Sequence, residues 1–177
     1  MRKEIKQALT IMIAVILLSS TVSALKSMNK MSRELKNHFF TGDEFNLSIH
    51  GDLDRKTSIA GNLVSLAKYY LPESEPHLKT ISETIKSMTN EDSVSKLYKL
   101  NSTLDENVLY TIATLEKASL TDSHRKMLTN YTSDYKSKMT TIANDNYNTL
   151  VKEYYDETGG FPGFIFQLFA DSPEYFK

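Results

Sequence analysis

The polar and apolar positions of this chain fall into one uncharged run followed by a series of narrow stripes. After a basic start at Arg2, Lys3 and Lys6, no charged residue occurs from Gln7 through Leu25. As a helix, that run spans roughly 28 Å, about the thickness of a bilayer's hydrocarbon. Beyond it, apolar side chains recur every three or four residues, the spacing of a helix face. Met28, Met31, Leu35 and Phe39 predict a helix continuing out of the run, interrupted at "FFTGDEFN", where Thr41, Gly42 and Asp43 are poor helix-interior residues. Ile59, Leu63, Leu66 and Tyr70 form the next stripe, ended by Pro72, and Leu78, Ile81, Ile85 and Met88 another. That one closes at "TNED", with Asn90 expected to cap the next helix. Val94, Leu97, Asn101, Leu104, Val108, Ile112 and Leu115 keep a near-heptad rhythm up to the turn "SLTDSH", capped by Thr121 or Asp122. A last long stripe runs through Tyr135, Met139, Ile142, Ala143, Tyr147, Leu150, Val151 and Tyr154 until Gly159-Gly160 stop it. No strict alternation argues for a strand.

Narrow stripes joined by short turns predict an all-α fold, an extended antiparallel up-and-down bundle on an N-terminal single-pass membrane helix. The expected division is residues 1–25 as anchor and 26–177 as bundle domain. A second reading of the N-terminus stands beside the anchor. The strongly apolar part, Ala8 to Leu18, is short, and Val22-Ser23-Ala24 resembles the small-residue cleavage site of a secretory signal. The short basic start resembles an export signal and favours a helical domain outside the cytoplasm, although Lys26, Lys30, Arg33 and Lys36 stand on the other flank.

Composition narrows the function classes. The 177 residues carry a net charge of -1, with no clustered basic face to bind nucleic acid. With no cysteine, disulfides, thiol catalysis and thiolate metal sites are excluded. Only 6 glycines and 4 prolines favour long helices over a many-turned β fold.

Candidate chemistry is sparse. His38, His50, His77 and His124 are scattered, and none pairs with another at ligand spacing. Glu73, Glu75 and His77 in "ESEPH" could hold a metal only loosely, and a solvated turn is the simpler account. "ETGGFPG" lacks the Lys-Ser/Thr of a phosphate loop. Asp52 and Asp54 beside Arg55 and Lys56 read as a mixed-charge helix start, explained by the helix dipole. Asn101, on an apolar stripe, reads as a register-setting polar residue in a helix seam. Tyr147, Tyr154 and Tyr155 read as core aromatics rather than a ligand groove. Asn46, Asn101 and Asn130 lie in glycosylation sequons. No nucleophile, general base or metal set emerges, so no enzymatic activity and no cofactor are expected.

Two stretches together resemble the LemA family. "LDRKTSIAGNLVSLAKYY" is similar to the family's first signature, with Leu53, Arg55, Lys56, Ile59, Asn62, Leu63, Val64, Lys68 and Tyr70 at matching positions. "YNTLVKEYYDETGGFPGFIFQLFADSPEYF" is similar to its closing pattern through Tyr147, Asn148, Val151, Tyr154, Phe161, Pro162, Phe169, Tyr175 and Phe176. The chain departs from the pattern at Gly61, where the family has proline, at Asn144, where arginine is typical, and at Tyr155, which replaces an asparagine. The resemblance implies a helical, bundle-like domain on a single-pass anchor with no established enzymatic activity, and a structural role for the matching residues.

The uncharged stretch "FPGFIFQLFA", Phe161 to Ala170, needs a covering surface. Folding back would let Phe161, Phe164, Ile165, Leu168 and Phe169 close the bundle's end. Asp156, Glu157, Asp171 and Glu174 flank it and would be repelled by anionic headgroups, so self-packing is expected over a membrane contact or a partner's groove. The functional expectation is a membrane-anchored helical interaction or scaffold protein. It would be held in the cell membrane's bilayer through residues 8–25, with a protein partner and no nucleic acid. The alternatives are a secreted helical binding module after cleavage near Ala24 and an enzyme with an unfamiliar site.

Overall fold

The computed structural model describes residues 2–42, 48–72 and 75–177, and all regular structure among them is helical. The helices are α1 (Arg2–Thr41), α2 (Ile49–Ala67), α3 (Pro76–Met88), α4 (Val94–Glu116), α5 (Asp122–Ala143), α6 (Tyr147–Thr158) and the single turn α7 (Gly163–Phe166). Contacts divide the chain into two compact units, residues 1–37 with 149–173 and residues 38–148 with 174–177.

The larger unit is a four-helix bundle. Around it α2 packs on α3, α3 on α4, α4 on α5 and α5 on α2, with a further contact between α2 and α4. Short connections make successive helices antiparallel neighbours. Its interior takes Leu63 and Leu66 of the predicted α2 stripe, whose Ile59 and Tyr70 are only half-buried, joined by Leu53 and Ala60. Leu78 and Ile81 from α3 and Leu97, Leu104, Val108 and Leu115 from α4 are buried as the stripes predicted. Ser48 caps α2 by accepting from the Gly51 amide at 2.9 Å, and Thr121 caps α5 by accepting from the His124 amide.

Several boundaries differ from the sequence expectation. Ser93 rather than Asn90 caps α4, while the Asn90 side chain donates back to the Lys86 carbonyl at 3.4 Å. Tyr70 lies three residues past the end of α2 at Ala67, in a turn closed by the Leu71 amide on the Ala67 carbonyl at 2.8 Å. The long terminal stripe is two helices. "NDN" breaks it, because short polar side chains compete for the backbone: Asn144 ends α5, and the Asp145 carboxylate accepts from the Tyr147 amide at 2.8 Å to begin α6.

In the smaller unit, α1 presents its apolar stretch. None of its most apolar eighteen-residue window is buried, and the helix is long and apolar enough to cross a membrane. Further along α1, Met28 and Ser32 are buried. The helix runs unbroken to Thr41 and ends at Gly42, whose φ of 75° is the left-handed conformation that glycine supplies at a helix C-terminus. α6 buries Val151, Tyr154 and Thr158 on one face. After Gly159-Gly160 and a cis Phe161-Pro162 peptide, the chain turns back. The Tyr154 hydroxyl donates to the Asp171 carbonyl at 3.3 Å and the Tyr155 hydroxyl to the Pro173 carbonyl at 2.9 Å.

The expected self-packing of the terminal apolar stretch does not occur. Phe161 is 84% exposed, Leu168 78%, Phe169 74% and Phe164 51%. Polar atoms hold the segment instead: Gln167 donates to the Thr158 hydroxyl at 2.7 Å, and the Asp171 amide to the Asn29 side chain at 2.9 Å. The aromatic that does bury itself near the C-terminus is Phe176, in the larger unit.

Candidate functional site

Three bundle helices each place two polar side chains on their inner face. On α2, Asp52 and Lys56 are one turn apart, as are Asn101 and Asp105 on α4 and Tyr135 and Lys138 on α5. The spacing converges them. Lys56, fully buried, donates from Nζ to Asn101 Oδ1 at 2.6 Å and to Asp105 Oδ1 at 2.5 Å. The Tyr135 hydroxyl donates to the same Asp105 oxygen at 2.7 Å, and the Lys56 ammonium lies 5.0 Å from the Tyr135 ring centroid. A second pair ties α5 to α2, with Lys138 donating to the buried Asp52 carboxylate at 2.7 Å.

Electrostatics follow from this packing. Burial pushes the Lys56 ammonium below the usual lysine range, and the adjoining Asp105 carboxylate opposes that shift. Burial, reinforced by the same carboxylate, raises Tyr135 far above an ordinary phenol. Two cations and two anions balance, so the cluster carries no net charge into the core.

A cleft opens over the cluster. Lys56, Asn101 and Asp105 form its polar floor, with Tyr98, Met139, Ile142 and Phe176 among its walls. The polar atoms on the floor are turned toward one another. The Lys56 Nζ on that floor is engaged by Asn101 and Asp105. No histidine joins it: His38 lies 3.9 Å from Asp145, His50 3.5 Å from Asp54, His77 bonds Asn107 and His124 bonds Tyr70.

This cluster is where the sequence expectation fell short. Lys56 is a buried interior residue of α2 rather than part of a solvated helix start, because α2 begins at Ile49 and its inner face already carries Asp52 and Lys56. The available signal was the one-turn spacing of polar pairs on apolar stripes. Asn101 is buried in the seam as a hydrogen-bond acceptor, which leaves no room for a glycan there; Asn130 is exposed and Asn46 lies outside the described residues.

The residues carrying the family resemblance separate into groups. Leu63, Val64 and Val151 are buried, whereas Arg55, Asn62 and Lys68 are exposed on α2 or just past it. Tyr70 donates or accepts at His124 Nδ1, 2.6 Å away. Tyr147 and Asn148 clamp the terminal residues: the Tyr147 hydroxyl donates to the Glu174 carbonyl, and the Asn148 amide both donates to and accepts from the Phe176 backbone, each at 2.8 Å. Tyr175 carries the Lys177 ammonium 4.0 Å from its ring centroid. Phe161 and Pro162 are exposed. Of the suggested metal set, Glu73 lies outside the described residues, and His77 is bonded to Asn107 and stacked 3.7 Å from the Tyr110 ring. Among the described residues no three His, Cys, Asp or Glu side chains gather as a metal site. Comparison of the chain with family models, with curated proteins and with solved structures returns no match.

Proposed function

We propose that this chain is a membrane-anchored helical interaction or scaffold protein, a divergent relative of the LemA family. It is held as a single pass in the cell membrane through residues 8–25, with its helical units outside the cytoplasm. It binds a protein partner and performs no catalysis.

One observation carries the reading. Leu9, Ile11, Met12, Ile13, Val15, Ile16 and Leu18 are all about half exposed or more, along a single stretch of α1. At ~1.5–3 kcal/mol per large apolar side chain, leaving them in water forfeits on the order of 10 kcal/mol, as much as a domain's net stability. A bilayer supplies the missing apolar surroundings. The satisfied polar cluster supports a non-catalytic bundle, since its amine, carboxylate and phenol are committed to each other.

Mass spectrometry of the native N-terminus, on separated membrane and soluble fractions, tests the anchor. An intact N-terminal segment in the membrane fraction is expected. A chain beginning at Leu25 in the soluble fraction would replace the reading with that of a released helical module.

A further inference from the structure

The segment Phe161–Phe169 is ordered yet apolar on its outside. Its polar contacts are made inward: Gln167 on Thr158, and the Asp171 amide on Asn29. Those bonds fix the backbone and leave Phe161, Phe164, Ile165, Leu168 and Phe169 facing out. An unstructured tail would not present so many large side chains from one short turn.

The Asn29–Asp171 bond fixes where this patch stands along α1. Asn29 is four residues beyond Leu25, the last residue of the uncharged run, or about 6 Å farther along the helix axis. A bilayer's headgroup zone extends roughly 5–7 Å beyond its hydrocarbon on each side. The bond therefore falls in the headgroup layer whenever α1 spans the membrane. Lys26, Lys30 and Arg33, exposed on the turns around Asn29, supply the positive charge that the acidic flanks of the segment lack.

We propose that Phe161–Phe169 is a second membrane contact, an aromatic wedge that enters the interface of the bilayer beside the point where α1 leaves it. The occupant of this patch is lipid. The wedge rests on α1 spanning the membrane, and it adds a footing that fixes the tilt of the residues around α6 to the membrane plane.

The absence of native cysteine makes site-specific labelling clean. The full-length chain is reconstituted in phosphatidylcholine vesicles containing a minor fraction of phosphatidylglycerol, with an environment-sensitive fluorophore at one introduced cysteine. Phe164→Cys and Phe169→Cys report the wedge, Leu18→Cys the anchor and Asn37→Cys, about 18 Å past Leu25 along α1, the aqueous phase. A spin-label quencher near the headgroup should remove most of the emission at positions 164 and 169, one deep on the acyl chain should remove that at position 18, and neither should change position 37. Quenching at 18 without quenching at 164 and 169 overturns the wedge and keeps the anchor, and this is also the result if a protein or a second copy covers the patch. No quenching at 18 overturns both.

Discussion

Lys56 on α2 donates to Asp105 on α4 at 2.5 Å from a fully buried position, so an ion pair fastens α2 to α4. Removing one partner strands the other, a loss of about 3–5 kcal/mol for a buried pair. Lys56→Met should fall at the low end, because Asp105 is 20% exposed and keeps the Tyr135 hydroxyl. Asp105→Leu should cost more, since it leaves the buried ammonium with no carboxylate, only the Asn101 oxygen and the Tyr135 ring. The double variant should lose clearly less than the sum of the two, measured by chemical unfolding of the four chains. Additive losses would mean that the two side chains do not stabilise one another.

Tyr135 gives the alkaline limb of stability a definite sign. Its folded-state pKa is raised above the ordinary 10.0, chiefly by burial. The unfolded chain thus loses this proton first, and the stabilisation, complete below pH 10, declines as pH rises further. Tyr135→Phe should be less stable than the parent at neutral pH, by about 1.5–3 kcal/mol for a hydrogen bond to a charged group. Above pH 10 the difference should shrink, by up to ~1.4 kcal/mol per pH unit. Lys56 acts oppositely. Its depressed folded pKa means that the folded state releases a proton before the unfolded chain does, so its contribution improves with pH up to about 10.5. Unfolding curves of the parent, Tyr135→Phe and Lys56→Met across pH 8–11 separate the two signs.

The apolar frame was legible because burial at three-four spacing is a local property. Leu63, Leu66, Leu97, Leu104 and Leu115 are buried on the stripes that predicted them. The polar core was not, because a lysine on a helix face looks solvated until its distant partners are known. Lys56 meets Asn101 and Asp105 across 45 and 49 residues of sequence. The break at Asn144–Asn146 was hidden for a related reason: Ile142, Tyr147 and Val151 are buried on both sides of it, so the stripe continues while the backbone does not. The terminal segment was misread because burial was inferred from composition. Its polar bonds to Thr158 and Asn29 decide which way the phenylalanines face.

Asn148 holds Phe176 by the backbone in both directions, and the Phe176 ring packs 5.5 Å from Phe39 and 5.2 Å from Tyr98, centroid to centroid. Asn148→Ala should cost about 1–3 kcal/mol as two backbone groups lose their partner. Removing residues 175–177 should cost about 3–5 kcal/mol, as for truncation of a buried phenylalanine. Once those residues are gone, Asn148→Ala should have little further effect. Equal losses in the full and shortened chains would show that Asn148 acts elsewhere.

Two glycines should respond to alanine with opposite signs. Gly61 lies in the interior of α2, and a Cβ there meets nothing within 4 Å, so Gly61→Ala should stabilise by about 0.5–1 kcal/mol through the lost freedom of the unfolded chain. At Gly163 a Cβ would lie 2.3 Å from the Thr158 carbonyl oxygen, which belongs to backbone and cannot swing aside. The turn between α6 and α7 must then open, and the Gln167–Thr158 bond goes with it. Hydrogen exchange at residues 164–170 should accelerate in Gly163→Ala and stay unchanged in Gly61→Ala, while exchange in α2–α5 is protected in both. Slow exchange at 164–170 in Gly163→Ala would mean that the segment is held by something other than its close approach to α6.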